Sequence, residues 1–213
     1  MDMEELIHQT EALSWEGLNL SPEKEPSYDN LELTLIGKIV APRPLNRISL
    51  HASFRAAWSF ISKFHIEDLD VNLFLFTFQN DRDKSRILNQ APWNFKGHLL
   101  ILKNCLADST WKEISLNTSP FHVQIHGLTR NHMTEKIAFK IGNALGNFLA
   151  VDIDPFFGLA CKKFIRIKVE IDISKPLKQG LWEPRDYHPD TWVSFKYERL
   201  SDFCYACGRI GHS

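Results

Sequence analysis

Between Val71 and Phe78 the chain reads Val-Asn-Leu-Phe-Leu-Phe-Thr-Phe, and no other stretch restricts its fold as much. Side chains along a strand alternate between faces. Phe74, Phe76 and Phe78 therefore share one face, and Val71, Leu73 and Leu75 the other. A strand apolar on both faces belongs between two layers, in the interior of a sheet. Two readings of the Phe row stay open. It is either an aromatic platform for stacking on bases or a buried face covered by the second half of the chain. The second is favoured, because no basic residue interleaves with the rings.

The neighbouring periods supply partners for that strand. Leu31, Leu33, Leu35, Ile36, Ile39 and Val40 read as a strand ended by Pro42 and Pro44. Leu50, Phe54, Ala57, Trp58 and Ile61 fall on one helical face. A short strand follows at His65–Leu69, then the Phe-rich strand itself. Asp81 to Gln90 reads as a helix with acidic residues at its start, stopped before Pro92, and Gly97 to Lys103 as a strand. The order is βαββαβ, the split β-α-β layout of RNA recognition modules, expected over residues 31–105. A second small α+β unit is expected over 106–200. It contains strands at Phe121–Ile125, Phe148–Ile153, Phe164–Ile173 and Thr191–Tyr197, and a helix at Thr134–Leu145 capped by Thr134 and closed by Gly146. The fold class is thus α+β: an RNA-recognition-like sandwich, a second unit and a zinc-knuckle segment at 201–213.

Cys204, Cys207 and His212 define that last segment as C-x2-C-x4-H. Two thiolates and an imidazole at this spacing are three of the four ligands of a zinc knuckle, since zinc prefers four N or S donors in a tetrahedron. The fourth would fall at about position 217 by the same spacing, past Ser213. The expected site is therefore an incomplete one for Zn2+, with a frayed tail that binds no metal as the alternative. Without metal, Phe203 to Ser213 is expected to bury nothing. Gly208 and Gly211 let so short a loop turn, and Tyr205 offers an aromatic face for unpaired bases.

Charge narrows the choice of partner. The chain holds 25 Lys and Arg against 26 Asp and Glu, but residues 1–34 hold nine of the acids and a single base, Lys24. The rest keeps 24 bases and 17 acids, a balance of +7. An acidic, disordered leader over 1–30, with an amphipathic helix from Met3 to Trp15, precedes a modestly basic body suited to weak polyanion binding. Lys162, Lys163, Arg166 and Lys168 form the densest basic cluster, on a strand whose other face is apolar. They are candidate phosphate contacts, with a solvated strand face as the plain alternative. No membrane-length apolar run is present, no secretory leader is expected because Glu4 and Glu5 stand where a basic segment would be needed, and four cysteines with two in C-x-x-C fit reduced, intracellular usage. Nothing marks an enzyme: there is no Gly-rich phosphate loop, nucleophile elbow or H-E-x-x-H. His122 and His126 share a strand face but sit roughly 13 Å apart, too far for one metal.

Taken in order, a series of short motifs is familiar. Leu35-Ile36-Gly37-Lys38, Trp58, Asn72-Leu73-Phe74-Leu75-Phe76 and Ala91-Pro92-Trp93-Asn94-Phe95 come first. Val123-Gln124-Ile125-His126-Gly127-Leu128, Ile141-Gly142 with Leu145-Gly146, Ile173-Ser174-Lys175-Pro176-Leu177 and Lys196-Tyr197-Glu198-Arg199-Leu200 before Phe203-Cys204 follow. Together they resemble the plant domain-of-unknown-function 4283 family of LINE-type retrotransposon first-frame proteins, usually followed by a CCHC zinc knuckle. The resemblance covers about residues 30–212. It implies a non-catalytic protein that binds RNA or single-stranded DNA within a ribonucleoprotein, with Cys204, Cys207 and His212 as zinc ligands. Phosphate contacts by the basic cluster and stacking by Tyr205 complete that expectation, with self-association but no membrane or small-molecule substrate. The rival reading is a protein-interaction scaffold that has lost nucleic acid and zinc.

Overall fold

A computed structural model describes residues 32–105, 110–159 and 162–211. The expected leader over 1–30, its helix, and His212 lie outside the described residues.

The first unit comprises β1 (Thr34–Val40), α1 (Arg47–Ala57), β2 (His65–Asp70), β3 (Leu73–Thr77), α2 (Asp81–Asn89), β4 (Trp93–Phe95) and β5 (His98–Asn104). All neighbours pair antiparallel, in the order β2-β3-β1-β5-β4. This is the expected βαββαβ arrangement with one short strand, β4, added at an edge. Both helices start on asparagine caps. Asn46 Oδ1 accepts from Ser49 N at 2.9 Å and Asn80 Oδ1 from Asp83 N at 2.8 Å. The Phe-rich strand begins at Leu73 rather than Val71, because Asn72 turns with φ 56° and leaves Val71 exposed.

Phe74, Phe76 and Phe78 are buried, but the unit's own helices cover them and the second half of the chain does not. Phe54 of α1 meets Phe74 and Phe76 edge-on at 5.3 and 5.1 Å, and Trp58, which closes α1, meets Phe76 at 4.9 Å. Ile87 of α2 completes this core. The second half reaches the opposite face instead: Leu99 and Ile101 of β5 are buried in the core of the second unit.

That unit comprises β6 (Thr118–His126), a single 3-10 turn, α3 (Glu135–Leu145), β7 (Asn147–Val151), β8 (Phe164–Asp172), β9 (Gly180–Glu183) and β10 (Thr191–Tyr197). Thr134 caps α3 as expected, accepting from Ile137 N at 3.3 Å. The strand order is β7-β8-β6-β10-β9. Each sheet thus places its strands in the same spatial order of second, third, first, last and an added edge strand. Among the described residues the second unit repeats the first with one helix fewer. Its core faces α3 through Phe121, Val123, Ile125 and the Ile165, Ile167, Val169, Ile171 row. Among the described residues no helix is long and apolar enough to cross a membrane.

Candidate nucleic-acid interface

β10 runs through two left-handed residues, Arg199 (φ 55°) and Asp202 (φ 52°), into a small hairpin over 203–211. Phe203 bridges Ile210, Cys204 N donates to Arg209 O at 2.9 Å, and Gly208 N to Cys204 O at 2.8 Å. Gly208 (φ 73°) and Gly211 (φ 102°) hold conformations that a side chain disfavours, and a Cβ on Gly211 would also lie 2.9 Å from Val40 Cγ1. The hairpin does not fray. Ile210 is buried in the second core with Phe203 packed against it, which corrects the expectation that 203–211 would bury nothing. His98 Nδ1 and the Asp202 carboxylate stand 2.8 Å apart, and Leu177 N donates to Gly208 O at 2.7 Å. These contacts tie the hairpin to both units.

The same geometry prepares a thiolate. Backbone N–H groups of Cys207 and then Ala206 are directed at the Cys204 sulfur and hold its thiol below the ordinary range. Cys207 is exposed beside it. The two thiols fit a knuckle in type and spacing. Among the described residues no group of three or more His, Cys, Asp and Glu could hold a metal, and His212 lies outside them. Tyr205 is 89% exposed, its ring edge-on to Phe203 at 5.1 Å.

The basic cluster divides. Arg166 donates Nε and Nη2 to the two oxygens of Glu198, each at 2.8 Å, and Nη1 to Asp152 Oδ2 at 2.5 Å. The Arg166 hydrogen bonds hold the Glu198 carboxyl down to about 2, and those same bonds, led by Glu198, push the guanidinium further up. Lys168 Nζ donates to Asn89 O at 3.1 Å, joining the units. Lys162 Nζ donates to Asp152 O at 2.7 Å, and Lys163 is exposed. The structure therefore places Arg166, Lys168 and Lys162 in internal contacts, leaving Lys163 as the exposed member of the cluster.

The outer faces of the two sheets differ. On the first, Ile36, Leu73, Leu99 and Ile101 are buried and Lys38 alone of β1 is exposed. Residues Trp111 to Asn117 lie across it, walling a cavity with Lys38 and Leu73. On the second, cross-strand partners build rows: Trp182 with Trp192, then Ser194 with His126 and Phe164, then Lys196 with Gln124 and Arg166. Of these rows, sequence reasoning weighed His126, as a metal ligand set too far from His122, and Arg166, as a candidate phosphate contact. The period-2 pattern of 164–172, with one apolar and one wet face, was the signal for the rest.

Residues 27–110 match a domain of unknown function, DUF4283, and residues 171–213 match a zinc knuckle. The chain carries a DUF4283 domain and a CCHC zinc knuckle. The DUF4283 match spans the first sheet and both its helices. The knuckle match takes in β9 and β10 as well as the hairpin. A curated relative, an uncharacterized protein of Arabidopsis thaliana, is 24% identical over 130 residues, covering 61% of this chain and 40% of the relative. The chain thus spans less than half of that relative's length. Among solved structures, RNA recognition domains 1 and 2 of Drosophila melanogaster Sex-lethal align with 13% identity and a TM-score of 0.28, covering 64% of this chain and 85% of that one. The first two RRM domains of yeast poly(U) binding protein align with 12% identity and a TM-score of 0.24, covering 78% and 98%. The fold described above rests on strand order and register alone.

Proposed function

We propose that this chain is a non-catalytic binder of single-stranded RNA or DNA, derived from a plant retroelement and working inside the cell. The observation that carries the binding is the knuckle hairpin: Cys204 and Cys207 stand together on it, with backbone N–H groups directed at the Cys204 sulfur, beside an exposed Tyr205. Knuckles are a recurrent single-strand-binding module. Cys204, Cys207 and His212 would hold zinc, which supplies structural closure of the hairpin rather than chemistry. The motif order given above supports the retroelement origin, and the reduced cysteines support the compartment. Binding is weak and sequence-tolerant, because the exposed lysines act as point charges toward phosphate.

Fluorescence anisotropy with labelled single-stranded RNA, single-stranded DNA and duplex, over a range of salt, tests this. Both single strands should bind more tightly than duplex. Log affinity should fall linearly with log salt, by about 0.7 per phosphate contacted. Charge reversal at Lys162 and Lys163 should weaken binding and flatten that slope. Binding that prefers duplex, or ignores salt, would refute the proposal. Exposure of Phe156 and Phe157, at 88% and 69%, favours a second reading as a protein-interaction scaffold; sedimentation without nucleic acid separates the two.

A further inference from the structure

The wet face of the second sheet carries its aromatics in one half. His126 and Phe164 are direct cross-strand partners with ring centroids 4.7 Å apart. Trp182 and Trp192 are also partners, edge-on at 5.2 Å, and they remain 63% and 44% exposed. Cross-strand partners project to the same face, and successive rows stand two strand residues, about 7 Å, apart. Ser194 occupies the His126 row, so Trp192, two residues earlier on β10, belongs to the adjoining row of that face. An aromatic half-face of this extent left to water normally has a binding role.

We propose that this half-face is a base-stacking platform for unpaired nucleotides, with Trp182, Trp192, His126 and Phe164 as the stacking surfaces. It rests on the single-strand reading above and assigns the bases to the second unit. The first sheet cannot serve: its outer face has Leu73, Leu75 and Ile36 where rings would be needed, and residues 111–117 lie across it.

Charge selects the occupant. The carboxylates of Glu198 and Asp152 beside the platform are both engaged by Arg166. Lys196, in the next row, and Lys163, one residue before Phe164, are exposed. Rings flanked by exposed lysines, with the nearby acids neutralised, suit stacked bases whose phosphates run along the rim. His126 adds a neutral ring, since burial and then the Lys196 charge hold its pKa below the ordinary value. The opposite half of the same face is closed by the first unit through Lys168 on Asn89 O and Lys103 on Glu170. A strand entering over Trp182 therefore has a defined end to its track.

The full chain is titrated with a labelled single-stranded oligonucleotide, then crosslinked to one carrying 5-bromouridine and mapped by mass spectrometry. Trp182→Ala and Trp192→Ala should each weaken binding about tenfold with the thermal midpoint kept, and Trp192→Phe should restore most of it. Crosslinks should fall on Trp182, Trp192, His126 or Phe164. If the parent binds no single strand, the nucleic-acid reading fails and the platform with it. If the parent binds but both variants bind equally well and crosslinks fall elsewhere, the platform alone is wrong. Variants that lose self-association yet keep oligonucleotide affinity would show the face to be a contact between copies, which also overturns it.

Discussion

Arg166 shows how a residue can be legible in type and illegible in role. Its place in a basic strand cluster is plain from spacing. The carboxylates that engage it, Asp152 and Glu198, lie 14 and 32 residues away, and only pairing of the strands brings them together. Glu198 titrates at about 2 in the folded chain, against an ordinary 4.5. A depressed carboxyl contributes stability that is complete above the unfolded value and lost as pH falls through the folded one. The parent should therefore lose thermal midpoint between about pH 5 and pH 2. Glu198→Gln should start lower at neutral pH and fall less over that interval. Equal slopes in melts across this range would show that Arg166 gives Glu198 no differential stabilisation. The closeness of Cys204 and Cys207 was legible because both sit within one short turn of chain, where spacing alone brings them together.

At the scale of elements, long periodic segments were readable and short ones were not. α1 and α3 each follow an apolar stripe long enough to recognise, α2 shows an acidic start and a stop before Pro92, and β8 an unbroken alternation. β4 and β9 have three and four residues, too few to show a period, and exist because an edge was available to pair with. The Phe row was read as buried but assigned the wrong cover, since alternation says that a face is hidden and not what hides it. α1 covers it through Trp58, which is fully buried, its indole N–H lacking a hydrogen-bond partner among the described residues. Trp58→Ala should cost about 3–5 kcal/mol in urea unfolding. Trp58→Phe should cost clearly less, because it also removes a buried donor that has gone unpaired. If Phe proved as damaging as Ala, the indole would have a partner after all.

For the whole molecule, two sheets share one strand order, and the C-terminal hairpin is built into both. Where the second unit lacks a helix, Leu99 and Ile101 from the first sheet and Ile210 from the hairpin enter its core. Sequence could not show this joint. Its contacts span distances such as the 104 positions between His98 and Asp202, with no local signature at either end. A ligand that binds only the folded form raises stability by mass action, so zinc should raise the melting temperature of the entire body and not merely order a tail. Cys204→Ser and Cys207→Ser should abolish the increase, and a chelator should reverse it. A body melt unmoved by zinc in the parent, with binding shown by chelator competition, would mean that hairpin and body are uncoupled.

The same joint has a consequence during synthesis. Leu99 and Ile101 leave the ribosome early, yet the residues that enclose them extend to Ile210. At ordinary translation rates the intervening hundred or so residues take roughly 5–20 s. Throughout that interval the nascent chain presents a finished sheet with part of its apolar side, around Leu99 and Ile101, still uncovered. It is then a natural client for chaperones, and the moment of greatest risk comes before the hairpin has been made.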